Sequence, residues 1–277
     1  MNRPSDTSLP FFAYGLFKPG QLCFSRIRDI VEKTVECKVN GYLKERDGIP
    51  LLVLGDNCPS IKGYLIYFNA GKEDEAYDRI LGIEPDEVYR WEAIKINDSR
   101  ANTLIGKREH RGSSDLEHFE EWDGQTDPFF KQGIEEVEYI LKVNSSFDWE
   151  FRALLRLQMA YTLLWSAIER YAGLKYHLGK SVNEKVYQIA SEKPFIDSLR
   201  KNVQKTREVF SATDLTKYTL DPNDPDKSIR YYYQVRSNTI HRGKAATSDF
   251  DTIKSSLEEL LAIFKEMLNE AFRQERR

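Results

Sequence analysis

The apolar residues of this 277-residue chain change their spacing near residue 148, and this change constrains the fold more than any other feature. Before it, short apolar segments alternate with turn residues, and segment 87–96 shows the alternation of a strand with one buried face. After it, apolar residues recur every three or four positions for about six turns, beginning at Phe151 and ending at Tyr171. The pattern predicts an α+β protein in which a β-rich domain precedes a helical bundle.

Turn and periodicity signals predict the individual elements. Strands are predicted over 10–14, 39–43, 50–54, 61–68, 87–96 and 99–104, and helices over 22–31 and 72–81. The later part predicts helices over 148–171, 183–191 and 194–210, then a helix ending before Gly243 and a long helix over 250–272. We therefore predict a mixed β-barrel domain at 10–108, an acidic connector with a short helix at 109–147, and an all-α bundle at 148–277.

Charge is distributed unevenly along the chain. Residues 1–149 carry 19 Lys and Arg against 27 Asp and Glu, whereas residues 150–277 carry 22 against 17. The deficit of the first part is concentrated in 109–138, where 10 acidic residues face 2 basic ones. A weakly basic second part suits a nucleic-acid partner, and the acidic segment is interpreted as a solvated connector or a cover for the basic part.

Composition argues against several classes of protein. No apolar run approaches the roughly 20 residues that span a membrane, and the first residues lack the apolar core of a secretory signal. Cys23, Cys37 and Cys58 are widely spaced, which argues against a disulfide framework or a zinc site. We expect a cytoplasmic protein with no membrane partner, no metal and no other cofactor.

One short motif carries chemistry, namely Arg236 and His241 separated by four residues. Arginine offers a permanent cation that suits phosphate, and histidine exchanges protons near neutral pH, so the pair can support metal-free cleavage of a phosphodiester. A surface arginine and a histidine that stabilises a helix end are the alternative. Positions five apart diverge by about 140° on a helix, so the two side chains share a face only if the last turn unwinds at Gly243.

The sequence Arg-Ser-Asn-Thr-Ile-His-Arg-Gly, between two helical segments, resembles the motif of the HEPN superfamily, in particular its Apea-like branch. The resemblance implies a metal-independent endoribonuclease with a role in defence or stress response. His241 would transfer the proton, Arg236 would stabilise charge on the phosphate, and Asn238 would orient one of them. The residues assigned to RNA contact are Ser237, Arg242 and Lys244.

The same resemblance implies a homodimer through the helical bundle. HEPN nucleases commonly pair two protomers so that both motifs line one cleft, which supplies the second proton-transfer group. Apolar residues beyond the needs of one core are expected to form the interface, and we assign to it Trp165, Ile168, Leu260 and Phe264.

The opening segment 12–20, Phe-Ala-Tyr-Gly-Leu-Phe-Lys-Pro-Gly, resembles the first motif of the γ-glutamylcyclotransferase-like fold. Segments 61–67 and 77–82, followed by Tyr89, agree with later parts of that fold. The resemblance implies a pocket for a small-molecule ligand. The residues assigned to it are Tyr14, Gly15, Leu16, Phe17, Leu81 and Tyr89.

One position departs from that family. Active members carry a glutamate as general acid and base where this chain has Leu81, and leucine cannot move a proton. Glu84, beside Pro85, is interpreted as a turn residue. We therefore expect lost cyclotransferase chemistry and a domain kept for ligand binding or assembly. Two further functions stay open, a non-catalytic module that senses a ligand and dimerises, and a working γ-glutamyl cyclotransferase, which Leu81 disfavours.

Overall fold

The chain forms two compact units. The computed structural model describes residues 1–46, 49–55, 58–84, 88–97, 99–107, 114–116, 120–176, 181–241 and 247–273. One unit comprises Met1–Asp127 with Ala271–Arg277, and the other comprises Pro128–Glu270. The connector predicted over 109–147 is therefore divided, since its residues join the first unit up to Asp127 and the second from Pro128.

The first unit contains a mixed, nearly closed barrel-like sheet, as predicted. Its strands are β1 (Phe11–Ala13), β2 (Val31–Arg46), β3 (Ile49–Leu54), β4 (Ser60–Phe68), β5 (Tyr89–Ile96), β6 (Ser99–Gly106) and β7 (Ser114–Leu116). The strand order is β3-β2-β4-β1-β6-β5, and β7 pairs with β2. Strand β1 is antiparallel to β4 and parallel to β6, which makes the sheet mixed.

The sequence of each strand fits its place in the sheet. Strand β1 is apolar throughout and fully buried, as expected for a short strand with neighbours on both sides. Strand β2 pairs through residues 31–40 with β4 and through residues 41–46 with β3. Helix α1 (Glu73–Leu81) follows β4 as predicted. The helix predicted over 22–31 is replaced by two 3₁₀ turns, Phe24–Arg26 and Arg28–Ile30.

The second unit is mainly helical. Its helices are α2 (Ile134–Val143), α3 (Arg152–Lys175), α4 (Val182–Gln188), α5 (Lys193–Asn202), α6 (Pro225–His241) and α7 (Thr247–Arg273), with a π-helical turn at Phe129–Gly133. The Asp148 carboxylate begins α3 by accepting hydrogen bonds from the N–H groups of Arg152 and Ala153, at 3.1 and 2.9 Å. The apolar stripe predicted for α3 is buried in the core of this unit.

The prediction of helix over 194–210 is wrong beyond Asn202, where α5 ends. Val203 adopts an extended conformation, and a hairpin follows, formed by β8 (Arg207–Phe210) and β9 (Lys217–Leu220). The hairpin forms its own two-stranded sheet and does not join the sheet of the first unit. The second unit is therefore helical with one β-hairpin, rather than all-α.

Candidate functional site

The first unit contains a pocket where β1 ends. It holds about 260 Å³ of space, counted with the solvent at its mouth, and is lined by Phe11, Ala13, Tyr14, Gly15, Leu16, Phe17, Pro50, Glu84, Tyr89 and Leu104. Small-molecule pockets span roughly 300–1,000 Å³, so this one is smaller than a usual ligand site. Among these lining residues, Glu84 carries the one carboxyl group and none carries a cationic side chain.

The loop after β1 is held by its own backbone and by the close approach of a proline. The N–H of Lys18 donates to the carbonyl of Gly15 at 3.0 Å, and the N–H of Cys23 donates to the carbonyl of Leu16 at 3.0 Å. A Cβ at Gly15 would lie 2.8 Å from Cγ of Pro50. A side chain at position 15 would therefore displace Pro50 from the pocket wall.

The two tyrosines of the pocket hold the backbone and are not free for proton transfer. The Tyr14 hydroxyl donates to the carbonyl of Leu104 at 2.7 Å and accepts from the N–H of Leu52 at 3.1 Å, which links β6 to β3. The Tyr89 hydroxyl donates to the carbonyl of Pro50 at 2.6 Å. Burial raises the pKa of both phenols above its ordinary value, so they stay protonated.

Glu84 carries the carboxyl group of the pocket wall. Glu84 is only 7 % exposed, and burial raises the pKa of its carboxyl group to about 8. In the described part of the chain, no hydrogen-bond donor or cation pairs with this carboxyl group. A carboxyl group with these properties is neutral at pH 7 and can both give and take a proton near that pH.

Leu81 does not line the pocket. It is the half-buried last residue of α1, and Glu84 lies in the pocket three residues later. Glu84 lies at the bend after the turn that ends α1, as interpreted, and its side chain also lines the pocket. One sequence signal could have placed it correctly: Ala76 and Ile80 are buried four residues apart, and the next step of four reaches Glu84. The N–H of Glu84 still donates to the carbonyl of Ile80 at 3.0 Å, so the helical phase continues.

The remaining pocket assignments meet at one place. Tyr14, Gly15, Leu16, Phe17 and Tyr89, which lie up to 75 positions apart in the sequence, all line the same pocket. Pro50 and Leu104, which the resemblance did not name, complete the wall and carry the carbonyl groups that anchor the tyrosines.

The residues of the second motif lie on and after α6. Helix α6 continues through His241, so the backbones of Arg236 and His241 lie on one unbroken helix, about 140° apart around its axis. The unwinding of the last turn, which would bring the two side chains to one face, is not observed up to His241. The side chain of His241 and the whole of Arg242 and Lys244 lie outside the described residues.

Arg236 has unused hydrogen-bonding capacity. Its side chain is 24 % exposed, and its Nη2 lies 3.7 Å from Oε1 of Glu169. The same oxygen accepts a hydrogen bond from Nε1 of Trp165 at 2.8 Å. The Nε of Arg236 is buried and finds no acceptor among the described residues. The guanidinium group is therefore held loosely by Glu169 and keeps free donors.

Asn238 ties α6 to the hairpin. Its Oδ1 accepts hydrogen bonds from the N–H of Ala212 at 3.1 Å and from Nε2 of Gln234 at 2.8 Å. Its Nδ2 donates to the carbonyl of Phe210 at 2.8 Å. All of these hydrogen bonds of the Asn238 amide are made within the fold. The neighbouring Ser237 is half-buried. A cleft of about 340 Å³ beside Asn238 is lined also by Gln158, Val209, Val235, Thr239, Asp249, Thr252 and Ile253.

The apolar residues assigned to a dimer interface lie in the core of the second unit. Trp165, Ile168, Leu260 and Phe264 are each no more than 2 % exposed. They pack within one protomer and offer no surface to a second one. The exposed apolar side chains of α3 are instead Leu155 and Met159, at 52 % and 69 %.

Two kinds of site are not found in the described part of the chain. No group of three or more His, Cys, Asp and Glu side chains there could hold a metal ion. The described helices include none that is long and apolar enough to cross a membrane.

Comparisons with known proteins give one structural similarity. No family model matches the chain, and no curated protein matches it. Among solved structures, the chain is similar to the uncharacterized protein PH0828 from Pyrococcus horikoshii, with a TM-score of 0.33 and 20 % sequence identity. The match covers 40 % of this chain and 86 % of that one.

Proposed function

We propose that the first unit catalyses acid–base chemistry on a small γ-glutamyl compound, with Glu84 as the group that moves the proton. The observation that carries this proposal is the buried Glu84 carboxyl group, whose pKa is raised to about 8 in the pocket that the loop after β1 lines. A general acid and base works best when its pKa lies near the working pH. The resemblance of segment 12–20 to the γ-glutamylcyclotransferase-like fold supplies the substrate class.

The reaction needs one group that first accepts and then donates a proton. The α-amine of the γ-glutamyl group attacks its own γ-carbonyl carbon, which forms the C–N bond of 5-oxoproline. The bond from that carbon to the departing amine breaks. Glu84 in its ionised form takes the proton from the attacking amine and returns it to the leaving amine, so atoms and charges balance. Tyr14 and Tyr89 keep the pocket in shape, since their hydroxyls are bound to backbone carbonyls.

The test is release of 5-oxoproline from γ-glutamyl dipeptides and γ-glutamyl amines by the purified full chain. Glu84→Gln keeps the size of the side chain and removes the proton, so we expect turnover to fall by roughly 10²- to 10⁴-fold. Glu73→Gln makes the same change on α1 outside the pocket and should leave turnover unaltered. Equal turnover by all three proteins would exclude Glu84 as the catalytic group. Ligand binding without turnover by the wild type would favour the module that senses a ligand.

A second candidate function is supported by Arg236 in the other unit. We propose that the Arg236 and His241 motif cleaves RNA without a metal ion, as the HEPN resemblance implies. Arg236 keeps a buried donor without a partner among the described residues and has only a 3.7 Å contact to Glu169, so it can turn to a phosphate.

RNA cleavage is tested separately, in EDTA, on single-stranded and loop RNA. Cleavage should leave 2′,3′-cyclic phosphate ends, because the ribose 2′-hydroxyl is the nucleophile in metal-free cleavage. His241→Ala and Arg236→Ala should each lower the rate by roughly 10²- to 10⁴-fold. Cleavage that persists in both variants comes from another site or a contaminant. Absence of cleavage by the wild type on every RNA tested would contradict this second proposal.

A further inference from the structure

Residues 120–124, which follow the cyclotransferase-like segment in the sequence, pack against the loop that forms the pocket. The N–H of Lys62 in β4 donates to the carbonyl of Glu120 at 2.7 Å, which docks the segment beside the sheet. The Trp122 side chain is 7 % exposed, so the segment adds an aromatic group to the core of this unit. Segment 120–124 is thus part of the first unit, although the sequence predicted it to be connector.

An ion pair between a buried lysine and a half-exposed glutamate joins this segment to the pocket loop. Lys18 follows Phe17 of the pocket wall and is 1 % exposed. Its Nζ contacts Oε1 of Glu121 at 2.6 Å, and the Glu121 side chain is 46 % exposed. A buried ammonium group is costly to leave unpaired, so Lys18 depends on the carboxylate that segment 120–124 supplies.

Gln21 makes a second connection at the other end of the loop. Its Oε1 accepts a hydrogen bond from the N–H of Gly124, and its Nε2 donates to Oδ1 of Asp123, both at 3.0 Å. Gly124 is closely packed, since a Cβ there would lie 2.7 Å from Trp122 and 2.9 Å from Oε1 of Gln21. Both functional groups of the buried Gln21 amide are therefore used to bind the segment.

We propose that Lys18 and Gln21 are positioning residues and that residues 120–124 form a brace that holds the Tyr14–Phe17 loop in the shape that buries Glu84. The loop and its anchors are continuous, because Gly15, Leu16 and Phe17 line the pocket and Lys18 donates its N–H to Gly15. Loss of the brace lets the loop move away and admits water to Glu84. The inference rests on the proposed function only in treating this pocket as the reactive one.

The test is the titration of Glu84 in the full chain, followed by ¹³C NMR of labelled glutamate carboxyl groups and assigned with Glu84→Gln. The compared variants are Glu121→Gln, which removes the partner of Lys18, and Glu120→Gln, which makes the same change on the exposed neighbour. Glu121→Gln should lower the titration midpoint of Glu84 by roughly one pH unit, because water solvates its charged form. Glu120→Gln should leave the midpoint unchanged.

A second variant keeps the proposal testable if Glu121→Gln does not fold. Gln21→Met removes both hydrogen bonds to the brace without a change of charge, and it should lower the midpoint in the same direction. A thermal melting temperature that falls while the Glu84 midpoint stays fixed would overturn the positioning role and leave a structural one.

The titration needs no turnover, which separates the two ideas. A shifted midpoint together with inactive wild-type protein would contradict the proposed function and support the brace. Turnover that depends on Glu84, with a midpoint and KM unchanged in both brace variants, would contradict the brace alone.

Discussion

The behaviour of Glu84 follows from the side chains around it. Its neighbours in the pocket are aromatic and aliphatic, and the two phenols donate their protons to backbone carbonyls rather than to the carboxylate. Burial without a donor or a cation disfavours the charged form, and this is the cause of the raised pKa. The same feature that prepares Glu84 for proton transfer therefore makes the folded state sensitive to pH.

The first prediction concerns that sensitivity. The pKa of Glu84 is about 8 in the folded protein and 4.5 for an ordinary glutamate, so between these values the folded state binds more protons than the unfolded one. The stability from this group is complete below pH 4.5 and is lost as pH rises through 8, with a slope of up to about 1.4 kcal/mol per pH unit. We expect urea unfolding to show this loss in the wild type and not in Glu84→Gln.

Other groups also titrate over this range, so the contribution of Glu84 is the difference in the pH dependence of the free energy of unfolding between the wild type and Glu84→Gln. Glu73→Gln serves as the control, since it removes a carboxyl group from α1 outside the pocket. Equal pH slopes for the wild type and Glu84→Gln would show that Glu84 has an ordinary pKa. The proposed acid–base role would then lose its main support.

The residues that line this pocket differ in how far the sequence predicts their position. The loop 14–17 could be predicted because Tyr-Gly within an apolar segment is a local pattern, and strand β1 fixes where it ends. Glu84 was missed because its position depends on whether the helical phase of α1 continues past Leu81. The bond from the N–H of Glu84 to Ile80 decides this, and the four-residue spacing of Ala76, Ile80 and Glu84 is the sequence signal that points to it.

At the scale of elements, two side chains of α6 bind the ends of the hairpin: Asn238 binds the end of β8, and Ser228 binds Asp221, directly after β9. Asn238 bonds to the backbone of Phe210 at the end of β8 and to that of Ala212 in the turn. The sequence predicts this hairpin poorly, because the four residues of β8 are also compatible with the last turn of a helix. A two-stranded hairpin is in addition stable only when it packs against a partner. The packing partner is distant in sequence, which is why the helix over 194–210 was predicted too long.

The second prediction tests this tie. Asn238→Ala removes the acceptor for the Ala212 N–H and the donor for the Phe210 carbonyl, and should lower the free energy of unfolding by about 1–3 kcal/mol. Ser237→Ala, one residue earlier on α6, should change it by less than about 0.5 kcal/mol. Chemical denaturation of both variants measures the difference. Equal stability of the two would show that Asn238 is free for a role in RNA cleavage.

At the scale of the molecule, the two proposed activities belong to separate compact units of one chain. The division falls between Asp127 and Pro128, a few residues after the brace in the sequence. The change of apolar spacing near residue 148 correctly predicted an α+β protein in which a β-rich part precedes a helical part. It could not locate the boundary, because residues 120–127 and 128–147 carry no regular pattern that separates them.

The last prediction concerns association. We propose a two-fold dimer through the second unit, because the composite RNA site needs two protomers. The interface that we propose differs from the one predicted from the sequence, whose residues are buried. Leu155 and Met159 lie one turn apart on α3 and are 52 % and 69 % exposed, so they can meet their own copies near a two-fold axis. Light scattering should then give twice the chain mass for the wild type and the chain mass for Met159→Glu.

Tyr139→Glu alters another exposed side chain of the unit, 60 % exposed on α2, and should stay dimeric. A monomeric wild type would contradict both the dimer and the composite site, whereas a Met159→Glu dimer would place the interface elsewhere on this unit.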